Sequence, residues 1–166
     1  GPRRLSTTVQ KMIVMPGGAY LFRQRDQEGK EYIFHGIYHE VMIPERLVYT
    51  MEYEGMPGHA TLNIDTLEER GGSTRMTTKV IFQSVEDRDQ MLQWGMEEGS
   101  TEMTIRLNEL LAKHTFSTRK EDTMAHPEGN GNSITITRVF NAPRERVWKR
   151  WTDPGQFMCW WGPKDF

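Results

Sequence analysis

The chain has 166 residues, with 21 basic residues against 23 acidic ones and a net charge of -2. That length suffices for one domain with a proper buried core, and the charge balance gives no electrostatic footprint for nucleic acid or an anionic membrane. The single Cys159 permits no internal disulfide, and no apolar run approaches the length of a membrane span or a signal-peptide core, so a cytoplasmic home is expected, with no nucleic-acid or membrane partner.

Residues 8 to 82 read as punctuated strands. Thr8 to Met15 stops at Pro16-Gly17-Gly18, Ala19 to Arg25 stops at Asp26-Gln27-Glu28-Gly29, and Glu31 to Met42 stops near Pro44. Each break supplies the backbone freedom or fixed angle that a turn needs. In the third run Tyr32, Phe34, Gly36 and Tyr38 share one face by alternation, and Ile33, His35, Ile37 and His39 the other. Arg46 to Tyr53 repeats the pattern with Tyr49, Met51 and Tyr53, and two further strands, roughly 59 to 69 and 73 to 82, join through Gly71-Gly72. Six consecutive strands without intervening helices predict an antiparallel sheet.

A long helix is predicted next, over about 84 to 114. Ser84 suits the N-cap, Glu86, Asp87 and Asp89 sit at the positive end of the helix dipole, and Lys113 and His114 lie at the other end. One face runs Met91, Gly95, Gly99, Met103, Leu107 and Leu111 at four-residue spacing. Interior glycines cost about 1 kcal/mol each against alanine. Gly95 and Gly99 therefore mark either a close approach of the sheet or space left open beneath a helix flanked by Trp94, Met91, Met96 and Met103. Residues 115 to 133 are polar and Gly/Asn-rich and read as a linker.

Beyond it, Ile134 to Phe140 alternates as a strand, and Pro143 suits a first helical turn. Val147, Trp148 and Trp151 form one apolar face, Thr152-Asp153-Pro154 breaks the helix, and Phe157, Met158 and Trp161 make a second short face. Four of the five tryptophans fall between Trp148 and Trp161. Each ring buries on the order of 150 to 250 Å² when packed, so the cluster must cover the sheet of residues 8 to 82, in its own chain or in a neighbouring copy.

Arg138-Val139-Phe140-Asn141-Ala142-Pro143-Arg144-Glu145-Arg146-Val147-Trp148, with Trp151-Thr152-Asp153-Pro154 and Trp160-Trp161-Gly162-Pro163, resembles the opening of the family named after the activator of the heat-shock protein 90 ATPase. Pro16-Gly17-Gly18, Pro44 to Val48, Ser84 to Asp89 and Gly95-Met96-Glu97-Glu98-Gly99 resemble its later motifs. The resemblance implies an α+β, START-like helix-grip fold: about seven antiparallel strands curved round a long helix, with two short helices. It also implies a permuted order within one domain over 1–166, in which 1–114 is the family's C-terminal part, 115–133 a linker and 134–166 its N-terminal part. Gly1-Pro2 reads either as a protease scar or as a near repeat of Gly162-Pro163. The order arises either from tandem repeats or from a permuted domain, closing as a monomer or as a swapped dimer.

The leading functional expectation, from the resemblance, is a binding module for an apolar or amphipathic small molecule held in an internal cavity. The candidate lining is Tyr32, Phe34, Tyr38, Tyr49 and Met51 from the sheet, Met91, Gly95, Gly99 and Met103 from the helix, and Trp148, Trp151 and Phe157 at the mouth. Every one of these also suits plain core packing. A stress-related co-chaperone that binds a chaperone is the first alternative, and a cyclase- or hydrolase-like enzyme the second. No catalytic residue, metal ligand set or cofactor motif is expected. His35 and His39 lie about 13 Å apart along a strand, too far to share an ion. Gly17-Gly18 and Gly71-Gly72 read as turns rather than phosphate loops. For Asp65 and Glu40 an exposed strand face is expected, with acids in or near the cavity as the alternative, and Cys159 is expected as a small buried apolar residue.

Overall fold

The fold, described by a computed structural model over residues 6–111 and 126–161, is one eight-stranded antiparallel sheet with four helices. The strands are β1 (Ser6–Met12), β2 (Ala19–Arg25), β3 (Glu31–Met42), β4 (Arg46–Tyr53), β5 (Thr61–Arg70), β6 (Ser73–Ile81), β7 (His126–Asn130) and β8 (Ser133–Phe140). They follow in the order β1-β2-β3-β4-β5-β6-β8-β7. The helices are α1 (Val85–Gln93), α2 (Met96–Leu111), α3 (Arg144–Thr152) and α4 (Pro154–Phe157). The α+β class holds, with one strand more than expected because residues 126 to 133 are not linker: β7 pairs with β8 as a hairpin from His126–Thr137 to Asn130–Ser133. The rest of the predicted linker, the helix end at Lys113 and His114, and the two Gly-Pro ends at residues 1–5 and 162–166 lie outside the described residues.

The meander forms because each turn is chemically specified. Gly17, Gly71 and Gly72 have positive φ of 83°, 56° and 84°, which glycine adopts without steric cost. Within β3 the ladder to β4 runs through Phe34–Tyr53 and His35–Glu52, resumes at Tyr38–Tyr49, and shifts register between Tyr38 and Glu40. Gly36 stands in the gap, where any Cβ would lie 1.8 Å from the Thr50 carbonyl oxygen. The freed backbone groups are taken up by side chains, since Ile37 N–H donates to Thr50 Oγ1 and Tyr20 Oη donates to the Thr50 carbonyl. Past the shift, Val41 rather than Met42 faces the core.

The predicted single helix over 84 to 114 is two helices. Ser84 caps α1 as expected, its Oγ accepting from Asp87 N–H at 3.1 Å. Trp94 ends it, and Gly95 turns the chain at φ 85°, the left-handed conformation that commonly terminates a helix. Gly95 is therefore a stop signal, not a slot on a continuous stripe. α2 then lies on the sheet through Leu107 and Leu111, both almost fully buried, with Met103 and Leu110 beside them. Asn108 ties it to the last strand: its Nδ2 donates to Val139 O and its Oδ1 accepts from Asn141 N–H.

α3 buries Val147, Trp148 and Trp151 as its pattern predicts, and Phe157 of α4 is buried beside them. The second short face differs: Trp160 is buried while Met158 is exposed. Trp160 packs edge-on against Trp151 at 4.6 Å, and its Nε1–H donates to Arg150 O. Cys159 is exposed rather than buried, its Sγ donating to Gly155 O. This segment covers the sheet of its own chain, and Thr7 Oγ1 donates to Trp161 O at 2.9 Å across 154 positions.

Candidate functional site

Two cavities share the side chain of Met51. On one side of it Tyr20, Phe22, Tyr38, Leu47 and Tyr49 from the sheet meet Trp151, Phe157 and Trp161. The rings interlock there, with Phe22 edge-on to Phe157 at 5.3 Å and to Trp161 at 5.5 Å. The free space left is about 20 Å³, on the order of one water molecule.

On the other side of Met51 the sheet opens. Tyr32, Phe34 and Tyr53 form a stacked aromatic wall, Phe34 to Tyr53 at 5.2 Å and Tyr32 to Tyr53 at 6.2 Å. α1 stands opposite with Asp87, Gln90, Met91 and Trp94, and Met56, His59, Thr61 and Phe82 complete the lining. The cavity is about 540 Å³, within the range of small-molecule sites. α1 buries no residue completely. Met91 is its foothold, packed against the minor core of Val80, Phe82, Ile134 and Ile136. Trp94, at the end of α1, is 58 % exposed, an indole held at a cavity edge rather than in the core.

The structure thus divides the residues singled out from sequence. Tyr32, Phe34, Met51 and Met91 line the larger cavity. Tyr38, Tyr49, Trp151 and Phe157 line the nearly filled one and belong to the main core, as do Trp148 and the flanking Met103. Gly95 and Gly99 line neither. Trp94, named from sequence as flanking the open stretch of the helix, lines the larger cavity too, whereas Tyr53, Met56 and Phe82 were not among the site residues read from sequence, although the alternation of β4 places Tyr53 on the face of Tyr49 and Met51. His59 and Asp87 were missed because they are 28 positions apart, with no local signal joining them.

Polar groups sit in two places. His59 Nδ1 lies 2.9 Å from both carboxylate oxygens of Asp87 on the rim of the larger cavity. Deep in the fold, Asp65 is fully buried, which overturns the exposed strand face expected for it. It faces Thr78 across the β5–β6 ladder and Tyr49 and Arg138 nearby. Burial pushes its carboxyl up to about 6, and the Thr78 hydroxyl, the Arg138 charge and the Tyr49 hydroxyl partly offset that. Those groups approach closely, but neither carboxylate oxygen has a hydrogen bond of good geometry among the described residues. Burial and the Asp65 charge likewise push the Tyr38 and Tyr49 hydroxyls above their ordinary range, and burial lowers Arg138. Arg138 lies over the Trp151 ring at 5.6 Å. Asp65 lines neither cavity.

Glu40 is half-exposed and pairs with Arg46 at 3.3 Å. His35 lies 3.8 Å from Glu52. Among the described residues no group of three His, Cys, Asp or Glu side chains is placed to hold a metal ion, and no helix is long and apolar enough to cross a membrane.

Comparison with protein families matches residues 3–112 to the family described as Activator of Hsp90 ATPase homolog 1-like protein. The matched span runs through the first six strands and both α1 and α2, and stops before β7, β8, α3 and α4. No curated protein matches the chain.

Proposed function

The chain belongs to the Activator of Hsp90 ATPase homolog 1-like family, and on that premise we propose that it binds a hydrophobic or amphipathic small molecule in the cavity beneath α1. The observation that carries this reading is the cavity of about 540 Å³ walled by Tyr32, Phe34, Tyr53, Met51, Met56, Met91 and Trp94. Flat rings on one wall accept a planar apolar body, and the methionines around it, Met51 on the sheet, Met56 after β4 and Met91 on α1, are flexible and polarizable enough to follow its outline. Closing such a surface over a ligand removes apolar area from water at about 25 cal/mol per Å².

The test is titration with N-phenyl-1-naphthylamine, an uncharged fluorophore that brightens out of water. Saturable binding near one probe per chain is expected for the wild type, and Met91→Trp, which fills the cavity from its most lightly packed wall, should weaken it at least tenfold while far-UV circular dichroism stays unchanged. Binding that survives Met91→Trp intact removes the cavity as its location.

A protein-interaction role is the second reading. It is favoured by Ile13 and Met15 on the β1–β2 turn, Ile37 on β3, and Met42 and Ile43 at the β3–β4 turn, all exposed. Gly17 N–H donates to Tyr38 O and Tyr38 N–H to Gly18 O, so the β1–β2 turn and the middle of β3 form one surface. Apolar side chains gathered outside the core mark interaction surfaces. A chaperone partner would be lost on Ile43→Asp with probe binding unchanged.

A further inference from the structure

The larger cavity carries one built polar feature at its edge. The β4–β5 connection that presents His59 is strapped from two sides: Gly58 N–H donates to Glu52 Oε1 at 2.6 Å, and Gln83 Nε2 donates to Gly58 O at 2.9 Å and to Ala60 O at 3.2 Å. Asp87 is fixed separately, since its backbone N–H is taken by the Ser84 cap at the start of α1. Between these two anchored backbones, His59 Nδ1 meets both Asp87 oxygens at 2.9 Å.

A carboxylate only accepts, so Nδ1 is the donor, and the neutral imidazole then presents Nε2 as an acceptor. No described residue hydrogen-bonds to His59 Nε2. A tie between a loop and a helix is the plain alternative, but His59 is 48 % exposed, and pairs that open to water contribute little to stability. Asp87, by contrast, is only 16 % exposed. Its negative charge and the acceptor lone pair of the imidazole both disfavour an anionic ligand and favour an O–H donor.

We propose that the His59–Asp87 pair is the polar anchor of the cavity, with His59 Nε2 accepting a hydrogen bond from the hydroxyl of a neutral aromatic alcohol or phenol whose ring lies against Phe34, Tyr53 and Trp94. This rests on the cavity's being a ligand site and adds the chemical class of the ligand. Asp87 is the positioning residue: it sets the imidazole tautomer and thereby makes Nε2 an acceptor rather than a donor.

Displacement of N-phenyl-1-naphthylamine by three small aromatics tests it. 2-Naphthol donates a hydrogen bond, 2-methoxynaphthalene only accepts one, and naphthalene does neither. The wild type should bind 2-naphthol about five- to tenfold more tightly than naphthalene, the worth of one hydrogen bond in a partly desolvated site, and 2-methoxynaphthalene no better than naphthalene. His59→Phe should bind 2-naphthol and naphthalene equally, the ratio of the two affinities being the readout whatever the variant does to both. Asp87→Asn should turn the preference toward 2-methoxynaphthalene, because an amide donating to Nδ1 leaves the proton on Nε2; a merely structural tie predicts no such reversal.

Equal binding of 2-naphthol and naphthalene by the wild type, or a preference that survives His59→Phe, overturns the anchor and leaves the cavity reading standing. Failure of every one of the three to displace the probe overturns the cavity reading and the anchor with it. The wild-type comparison needs no variant to fold.

Discussion

Two ends of the same sheet are lined by the same kind of residue and end in opposite states. Tyr20, Phe22, Tyr38 and Tyr49 at one end face Trp151, Phe157 and Trp161, and about 20 Å³ is left. At the other, Tyr32, Phe34 and Tyr53 face α1, and about 540 Å³ is left. The difference lies in the covering helices. α3 carries three buried residues on nine positions and brings two tryptophans among them. α1, of the same length, has no buried residue and ends at Gly95, so the chain turns before it can settle on the sheet. Enclosed volume here is set by how much ring is delivered from above, not by how apolar the strands are.

Exchanging large for small on the two sides breaks the comparison most directly at the filled end. Trp151→Ala removes the edge-on contact with Trp160 and the ring beneath Arg138, and should cost about 3 to 5 kcal/mol in urea unfolding, the usual range for a buried tryptophan.

Asp65 gives the next largest effect, read as a pH dependence. Its folded-state pKa is raised from 3.8 to about 6, so the folded state holds this proton more tightly than the unfolded chain does. The associated stability is complete below about pH 4 and is lost as pH rises through about 6, amounting to about 3 kcal/mol over that window. Wild-type urea midpoints should fall between pH 4 and pH 6.5 while those of Asp65→Asn lack this component. Parallel pH profiles for the two proteins would show that Asp65 is not held in the buried state described.

The smallest effect on stability belongs to the open end. Trp94→Ala removes a mostly exposed indole and should change stability by less than about 0.5 kcal/mol, yet weaken N-phenyl-1-naphthylamine binding several-fold. A stability loss comparable with that of Trp151→Ala would mean that α1 is held as firmly as α3.

The bounds of β2, β3 and β4 could be read residue by residue because alternation and turn chemistry are local. Asp26 with Gly29, or the pair Gly71-Gly72, determines a turn whatever the rest of the chain does. The Ser84 cap and the face of Val147, Trp148 and Trp151 are legible for the same reason. Gly95 was not, since a glycine at four-residue spacing fits a continuous stripe and a helix stop equally well; only its φ of 85° decides. Of the candidate lining, the face of Tyr32, Phe34 and Met51 followed from alternation, but which end of that face is filled did not.

The sequence by itself determined the six-strand meander and its turns, β8, the Ser84 helix start, α3 and the aromatic load of the last thirty or so positions, because these follow from periods of 2 and 3.6 residues and from backbone preferences, whereas β7 and the break between α1 and α2 did not show in it. It also placed the chain in its family through motifs spread along that pattern. Tertiary structure alone decided three things. β5 turns Asn63, Asp65 and Leu67 inward and leaves Ile64 half-buried, against the exposed face expected for Asp65, because a strand's faces are assigned by what covers them. The helices filled one end of the sheet and left the other open, because packing depends on where each helix breaks. And His59 met Asp87 only when the turn after β4 and the start of α1 were brought to the same rim, a juxtaposition that no local pattern encodes.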